Sequence, residues 1–193
     1  MPRVVILMAQ GFEEMELVIT ADLLRRAGVE VLLTSIEGSL EPITGSRGIR
    51  LLPDQTLQGV APDSIDLLVL PGGLEGTRRL ADSEQVLDLL RQVHRLERPV
   101  AAICAAPAVL VKAGIVTNRR VTCHPGAIEH MVGVVFQNHR VVVDGPITTS
   151  RAAGTTFEFA FQLIDLLCGK QKVKEVNRGV LALIPDQLPD LMS

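Results

Sequence analysis

The chain has 193 residues, 47% hydrophobic and 21% charged, a balance that suits one folded domain and argues against global disorder. Its net charge is −3, no segment forms a basic stripe, and neither Trp nor Tyr is present, so a nucleic-acid surface is not expected. Three cysteines, Cys104, Cys123 and Cys168, form no paired framework, and reduced thiols in a cytoplasmic setting are expected.

"RVVILMA" predicts a first strand that ends at a Gln-Gly turn. Its apolar run, residues 4–9, is too short for a signal-peptide core or a membrane span, and no later run reaches bilayer length. A soluble protein without a membrane partner is therefore expected. "FEEMELVITADLLRRAG" predicts a helix, because Leu17, Ala21 and Leu24 recur at helical spacing and Gly28 is a natural stop. "VEVLLTSI" reads as a second strand. "EPITGSRGIRLLPD" follows as a small β excursion with Gly-Ser and Pro turns. "IDLLVLPGG" is a buried strand ending at a glycine turn. "SEQVLDLLRQVHRLERP" is an amphipathic helix with Val86, Leu89, Leu90 and Val93 on one face.

"PVAAI" is the next strand, and "AAPAVLVKAG" the helix after it. "VVFQNHRVVVDGPITTS" reads as strand, turn and strand, with a turn signal at Asp144-Gly145. "TTFEFAFQLIDLLCGK" is a strong helix that Thr155 or Thr156 can cap and Gly169 can stop. "KVKEVNRGVLAL" is a last helix, and "IPDQLPDLMS" is turn-like. The alternation of strand and helix predicts an α/β fold with a mostly parallel sheet. Continuous apolar strands predict cover on both faces of that sheet. No repeat, low-complexity tract or linker divides residues 1–193, which are read as one domain.

Sites in open α/β sheets form at the carboxyl ends of strands, which brings "AQGFEE", "LPGGLEG" and "AICAAP" to one edge. Cys104 sits where a strand becomes a helix. Ala102, Ala105 and Ala106 give the clearance a nucleophile elbow needs, and Pro107 suits a first helical turn. Helix N–H groups nearby would favour thiolate over thiol. A buried core cysteine is equally compatible with the local sequence. The N–H groups of Gly73 and Ala105 could stabilise an oxyanion formed on Cys104. "LPGGLEG" lacks both Gly-x-Gly-x-x-Gly and Gly-Lys-Ser/Thr, so it is not a phosphate loop.

Glu13, Glu14 and Glu16 complement the dipole at a helix start, so solvated surface is the expectation for most of them. One could enter the site, but spacing does not choose it. His124 is the histidine placed to serve Cys104 as base or charge partner. His94 is expected on the surface, and His130 and His139 have no clear partners. Cys123 beside His124 suggests a metal, but no paired ligand spacing supports one. Cys168 is expected to be structural.

The motifs "GFEEMELVITADLLRRAG", "GSRGIRLLPD", "VLPGG", "AAICAAPAVL", "HP", "TSRAAGTTFEFA" and "LLCGK", in this order over about residues 4–169, resemble the ThiJ/PfpI family. The likeness is to the branch of the Parkinson-disease-associated deglycase and the bacterial YajL-like proteins. The resemblance implies a flavodoxin-like sheet between helices, a homodimer, Cys104 as nucleophile and Glu16 as a protonated partner of the thiolate. It also implies Gly73 and Ala105 as backbone oxyanion donors. His124 matches a nearby histidine of some members. The implied function is a cysteine-dependent enzyme acting on small dicarbonyls or glycated proteins, as a glutathione-independent glyoxalase or protein deglycase. No cofactor or metal is implied. The alternative is a non-enzymatic oxidative-stress sensor or redox-gated chaperone that uses oxidation of Cys104.

Several positions depart from the family pattern. Gly45 stands where many members carry a second cysteine, Ala152-Ala153 replaces Gly-Pro and could reshape a wall of the site, and Cys123 is an added thiol. Ala105, not histidine, follows the nucleophile, and no late His-x-Glu is present. Protease-like and amidotransferase activities are therefore not expected.

Overall fold

The computed structural model describes residues 1–182. The turn-like tail expected over 184–193 lies outside the described residues. Four strands make the middle of the sheet: β1 (Arg3–Met8), β2 (Glu30–Ser35), β6 (Leu67–Leu70) and β7 (Val100–Ile103). The excursion supplies β3 (Ile43–Thr44), β4 (Arg50–Leu51) and β5 (Gln55–Thr56). Later strands are β8 (Arg120–Val121), β9 (Val135–Phe136), β10 (Val141–Asp144) and β11 (Ile147–Ser150). The main sheet runs β10-β11-β7-β6-β1-β2-β5, parallel throughout except for the β10–β11 hairpin at Asp144-Gly145. The expected α/β, flavodoxin-like architecture is present.

Among the described residues six helices cover it: α1 (Glu14–Arg26), α2 (Leu74–Asp82), α3 (Glu84–Arg95), α4 (Pro107–Ala113), α5 (Thr156–Cys168) and α6 (Lys170–Val180). Alternate residues of each strand enter opposite layers because side chains in a strand point to opposite faces. Val5 and Leu7 of β1, with Val100 and Ala102 of β7, pack with Leu80, Val86, Leu90 and Leu110. Val4, Ile6 and Met8, with Ala101 and Ile103, pack with Leu17, Leu24, Phe159 and Leu163. The strands are apolar on both sides because α2, α3 and α4 cover one face and α1, α5 and α6 the other. Each fully buried Leu, Ile or Phe stabilises the fold by about 1.5–3 kcal/mol. No helix among the described residues is long and apolar enough to cross a membrane.

The structure differs from the sequence reading in several places. Helix α2 falls within what reads as a loop, because only Gly76, Thr77 and Leu80 of its nine residues are buried. The segment 135–150 holds three strands, and β9 pairs with β8 instead of β10. Thr155 occupies the N-cap position of α5 without capping it; its hydroxyl bonds to Ala152 O (2.8 Å) and Ser150 Oγ (2.7 Å). Gly169 ends α5 as expected and also begins α6. His94 is half-buried, and its Nδ1 is sealed from solvent.

Candidate active site

Strand β7 delivers Cys104 to the carboxyl edge of the sheet. Cys104 has φ = 65°, the left-handed region that a side chain other than glycine adopts at a cost of about 1–2 kcal/mol. Two backbone bonds hold this geometry. Its N–H donates to Ser150 O at the end of β11 (3.0 Å), and its carbonyl accepts from the His124 N–H (2.8 Å). Ala106 N–H closes the turn onto Ile103 O (3.1 Å), and Pro107 then opens α4. The alanines, completely or almost completely buried, leave no room for larger side chains around this turn. The positive φ is the mark of an elbow, and a plain core cysteine would have no need of it.

The β6–α2 turn comes within contact distance of the same sulfur. A Cβ on Gly72 would lie 2.7 Å from both Cys104 Cβ and Glu16 Oε2. A Cβ on Gly73 would lie 2.3 Å from Gly11 O, and Gly73 has φ = 89°. Both glycines of "LPGG" are therefore required by close approach. The turn is docked on the start of α1: Glu13 N–H donates to Gly72 O (3.0 Å), and Gly72 N–H donates to Glu16 Oε2 (2.7 Å). The N–H groups of Ala105 and Gly73 favour the charged form of the Cys104 sulfur.

The three glutamates of α1 separate into three jobs, and two are buried, which corrects the expectation of a mostly solvated group. Glu13 caps the helix, its Oε2 accepting from Glu16 N–H at 2.8 Å. Glu14 turns under the excursion and accepts from Ser46 Oγ (3.0 Å), Arg47 N–H (2.5 Å) and Ile49 N–H (3.4 Å). Glu16, 1% exposed, faces Cys104. Its Oε1 is sealed from solvent without a hydrogen-bond partner. A buried carboxyl oxygen with no donor is where a proton belongs, and a protonated Glu16 can donate to sulfur.

Electrostatics follow from this geometry. Burial raises the Glu16 carboxyl from its ordinary 4.5 to about 7, against the lowering effect of its hydrogen bonds to Cys104 and Gly72. Burial, and then the charge and hydrogen bond of Glu16, push the Cys104 thiol up to about 12, against the pull of the Ala105 and Gly73 N–H groups. The expectation that a helix start alone would favour thiolate is overridden by desolvation. Near neutrality the sulfur therefore keeps its proton, and a thiolate forms when that proton passes to the Glu16 carboxylate. When Glu16 holds it, the charge opposing a thiolate disappears and only the two amide donors remain.

His124 is exposed and lines the cleft, but its Nδ1 accepts from Gly126 N–H (3.0 Å), so the imidazole is engaged with its own turn. The cleft has a volume of about 550 Å³ and is lined by Gly11, Ser46, Arg47, Gly73, Cys104 and His124, among others. Ser46 and Arg47 escaped the sequence reading as cleft residues; the Gly-Ser-Arg-Gly turn was the available signal, and Glu14, with the backbone bonds Ser46 N–H to Phe12 O (2.7 Å) and Gly11 N–H to Thr44 O (2.8 Å), holds it at the cleft. Ala152 and Ala153 are absent from this lining. Cys123 is fully buried in the layer around α4, and burial raises it to about 11. Cys168 ends α5, half-buried. Among the described residues no group of three His, Cys, Asp or Glu side chains could hold a metal ion.

A parallel α/β sheet that presents a strained cysteine between a buried carboxyl and two backbone N–H groups defines a class of cysteine-centred elbow proteins. The DJ-1/PfpI family model matches residues 2–166. Protein dj-1beta of Drosophila melanogaster is 42% identical over 178 residues, covering 91% of this chain and 95% of the fly protein. Its crystal structure superposes with a TM-score of 0.91 at 40% identity, covering 95% of this chain and 99% of that one. The glutathione-independent glyoxalase DJR-1.2 of Caenorhabditis elegans is 34% identical, covering 89% of this chain and 91% of that protein. Toxoplasma gondii DJ-1, solved in an oxidized form, has a TM-score of 0.90 at 31% identity, covering 95% of this chain and 100% of that one. The chain belongs to the DJ-1/PfpI family.

Proposed function

We propose that the protein is a cysteine-dependent enzyme acting on reactive dicarbonyls or glycated protein adducts, of the glutathione-independent glyoxalase or deglycase type. One observation carries this reading: the buried, raised Glu16 carboxyl and the Gly73 and Ala105 N–H groups converge on the sulfur of Cys104. A family member in Caenorhabditis elegans carries the glyoxalase name.

In this scheme the Cys104 thiolate adds to the aldehyde carbon of a 2-oxoaldehyde. The carbonyl electron pair becomes an alkoxide, held by the two N–H groups and protonated by Glu16 to give a hemithioacetal. Glu16 carboxylate then removes the proton from that carbon, the electron pair passes through an enediolate to the ketone oxygen, Glu16 returns the proton to the neighbouring carbon, and the hemithioacetal hydroxyl proton moves to the former ketone oxygen. The aldehyde carbon is oxidised to a thioester and the ketone carbon is reduced to an alcohol, so no outside oxidant is needed. Water cleaves the thioester, releasing a 2-hydroxy acid and the thiol. On a glycated protein, Cys104 displaces the protein's amine or thiol from the adduct carbon, and the same steps follow. His124, on the cleft wall, is a second proton carrier in this scheme. The test is methylglyoxal consumption by the purified protein and by Cys104→Ala. The variant is expected to be inactive, and undiminished turnover refutes the mechanism.

A second reading is a peroxide sensor or redox-gated chaperone. It is favoured by the half-buried Cys104 beside the buried Glu16 carboxyl, which can bond to an oxygen added to sulfur. Intact mass after dilute peroxide separates the two: two added oxygens on Cys104 without dicarbonyl turnover favour sensing. We also propose a homodimer. Met15 and Val18 on α1, and Ile49 and Leu52 on the excursion, are exposed apolar side chains that a second copy would cover. Sedimentation at micromolar concentration tests this.

A further inference from the structure

A second concavity adjoins the Cys104 cleft, and the scheme above makes no use of it. It has a volume of about 580 Å³, within the range of about 300–1,000 Å³ usual for small-molecule sites. It lies between α2, α4 and the turn at 125–132, and Ala81, Ala108, Val111 and Val132 form much of its wall. Three residues line both spaces: Leu74, Ala105 and Gly126. Ala105 follows Cys104 directly in the chain, so the groove begins one residue from the reacting atom. Leu74 stands at the junction and is 81% exposed; Val132 is 74% exposed. These two side chains extend the apolar wall of the groove to its mouth.

The charges of the groove argue against an anionic occupant. Arg78 is held by Glu75 (2.8 Å) and Asp82 (3.4 Å), and Lys112 by the same Asp82 (3.4 Å). Arg78 and Lys112 are therefore already paired, His130 lies 3.7 Å from the Glu129 carboxylate, and Thr77 adds one buried hydroxyl without a partner to a wall that is otherwise mainly apolar.

We propose that this groove seats the organic substituent of the carbonyl substrate, so that the protein prefers 2-oxoaldehydes bearing an aryl or branched alkyl group over methylglyoxal. The inference rests on the dicarbonyl reading of the Cys104 site and adds its specificity. A carbon bonded to sulfur, with its oxygen at the Gly73 and Ala105 N–H groups, carries its substituent past Leu74 into the groove. A methyl group is too short to use it.

The test uses Ala108→Phe, which fills the groove, and Val132→Asp, which places a charge at an exposed position where folding is not at risk. Neither residue lines the Cys104 cleft. Two readouts are taken on the full chain. The first is kcat/KM for phenylglyoxal against methylglyoxal. Both variants should lower that ratio about tenfold while methylglyoxal turnover stays within twofold of wild type, a discrimination typical of an apolar pocket.

The second readout needs no turnover. It is the rate of Cys104 alkylation by N-benzyliodoacetamide relative to iodoacetamide, with sulfur displacing iodide in each case, measured by intact mass with Cys104→Ala as blank. Wild type should exceed the ratio shown by N-acetylcysteine several-fold, and both variants should fall to it. If wild type turns over neither dicarbonyl yet keeps the benzyl preference, the groove stands and the enzymatic reading falls. Unchanged ratios in both variants overturn the groove. So does a change of oligomeric state in Val132→Asp, which would make this face a contact between copies.

Discussion

Replacing Glu16 by Gln tests the proton balance on which the site depends. The Glu16 carboxyl titrates at about 7 in the folded chain against an ordinary 4.5. Below pH 4.5 both folded and unfolded chains hold the proton, and the contribution of Glu16 to stability is fully present. Between pH 4.5 and 7 the unfolded chain releases the proton while the folded chain keeps it. That contribution therefore falls as pH rises, by about 1.4 kcal/mol per unit, and levels off above 7 after a loss of about 3 kcal/mol. Gln is nearly isosteric: its oxygen can still accept from Gly72 N–H, and its amide can donate toward sulfur, but it does not titrate. Urea denaturation of wild type and Glu16→Gln at half-unit steps from pH 4 to 8 reads the difference directly. The variant is expected to gain about 3 kcal/mol on wild type across that interval. Parallel curves, or a wild type that gains on the variant with rising pH, refute the raised carboxyl and the shared proton.

Gly72→Ala puts a Cβ 2.7 Å from both Cys104 Cβ and Glu16 Oε2, so it should cost about 1–3 kcal/mol in denaturation and slow alkylation of Cys104 by iodoacetamide; an unchanged alkylation rate contradicts the placement of that turn. Gly45→Cys, the residue many family members carry there, brings a Cβ to 2.5 Å from Glu14 Cδ and Oε1. The carboxylate must then give up its bonds to Ser46, Arg47 and Ile49, at about 1–3 kcal/mol, and an unaltered melting temperature would count against that account.

Much of the fold is legible because the chain repeats simple rules. Leu17, Ala21 and Leu24 mark one face of α1, and all three are buried. The apolar run before Cys104 is a strand covered on both sides, and Pro107 and Gly114 bracket α4. Helix α2 escapes the same rules. Its core contribution is small, and Leu74, its first apolar residue, points to solvent. Among the site residues, the strand-to-helix position and flanking alanines single out Cys104, and the glycine turn suggests Gly73. The glutamates do not sort themselves. Three carboxylates at one helix start look alike in sequence, and family likeness, not spacing, singles out Glu16.

By itself, then, the order of residues determined what local rules govern: apolar runs that must be covered, helix faces, and a small-residue turn able to present a thiol. The tertiary structure alone decided which charges lose their water. Glu14 and Glu16 are buried because the β3–β4 excursion and the β6–α2 turn close over the start of α1. Desolvation depends on neighbours from distant segments, as does the proton that Glu16 and Cys104 share. No stretch of sequence around either residue contains those neighbours.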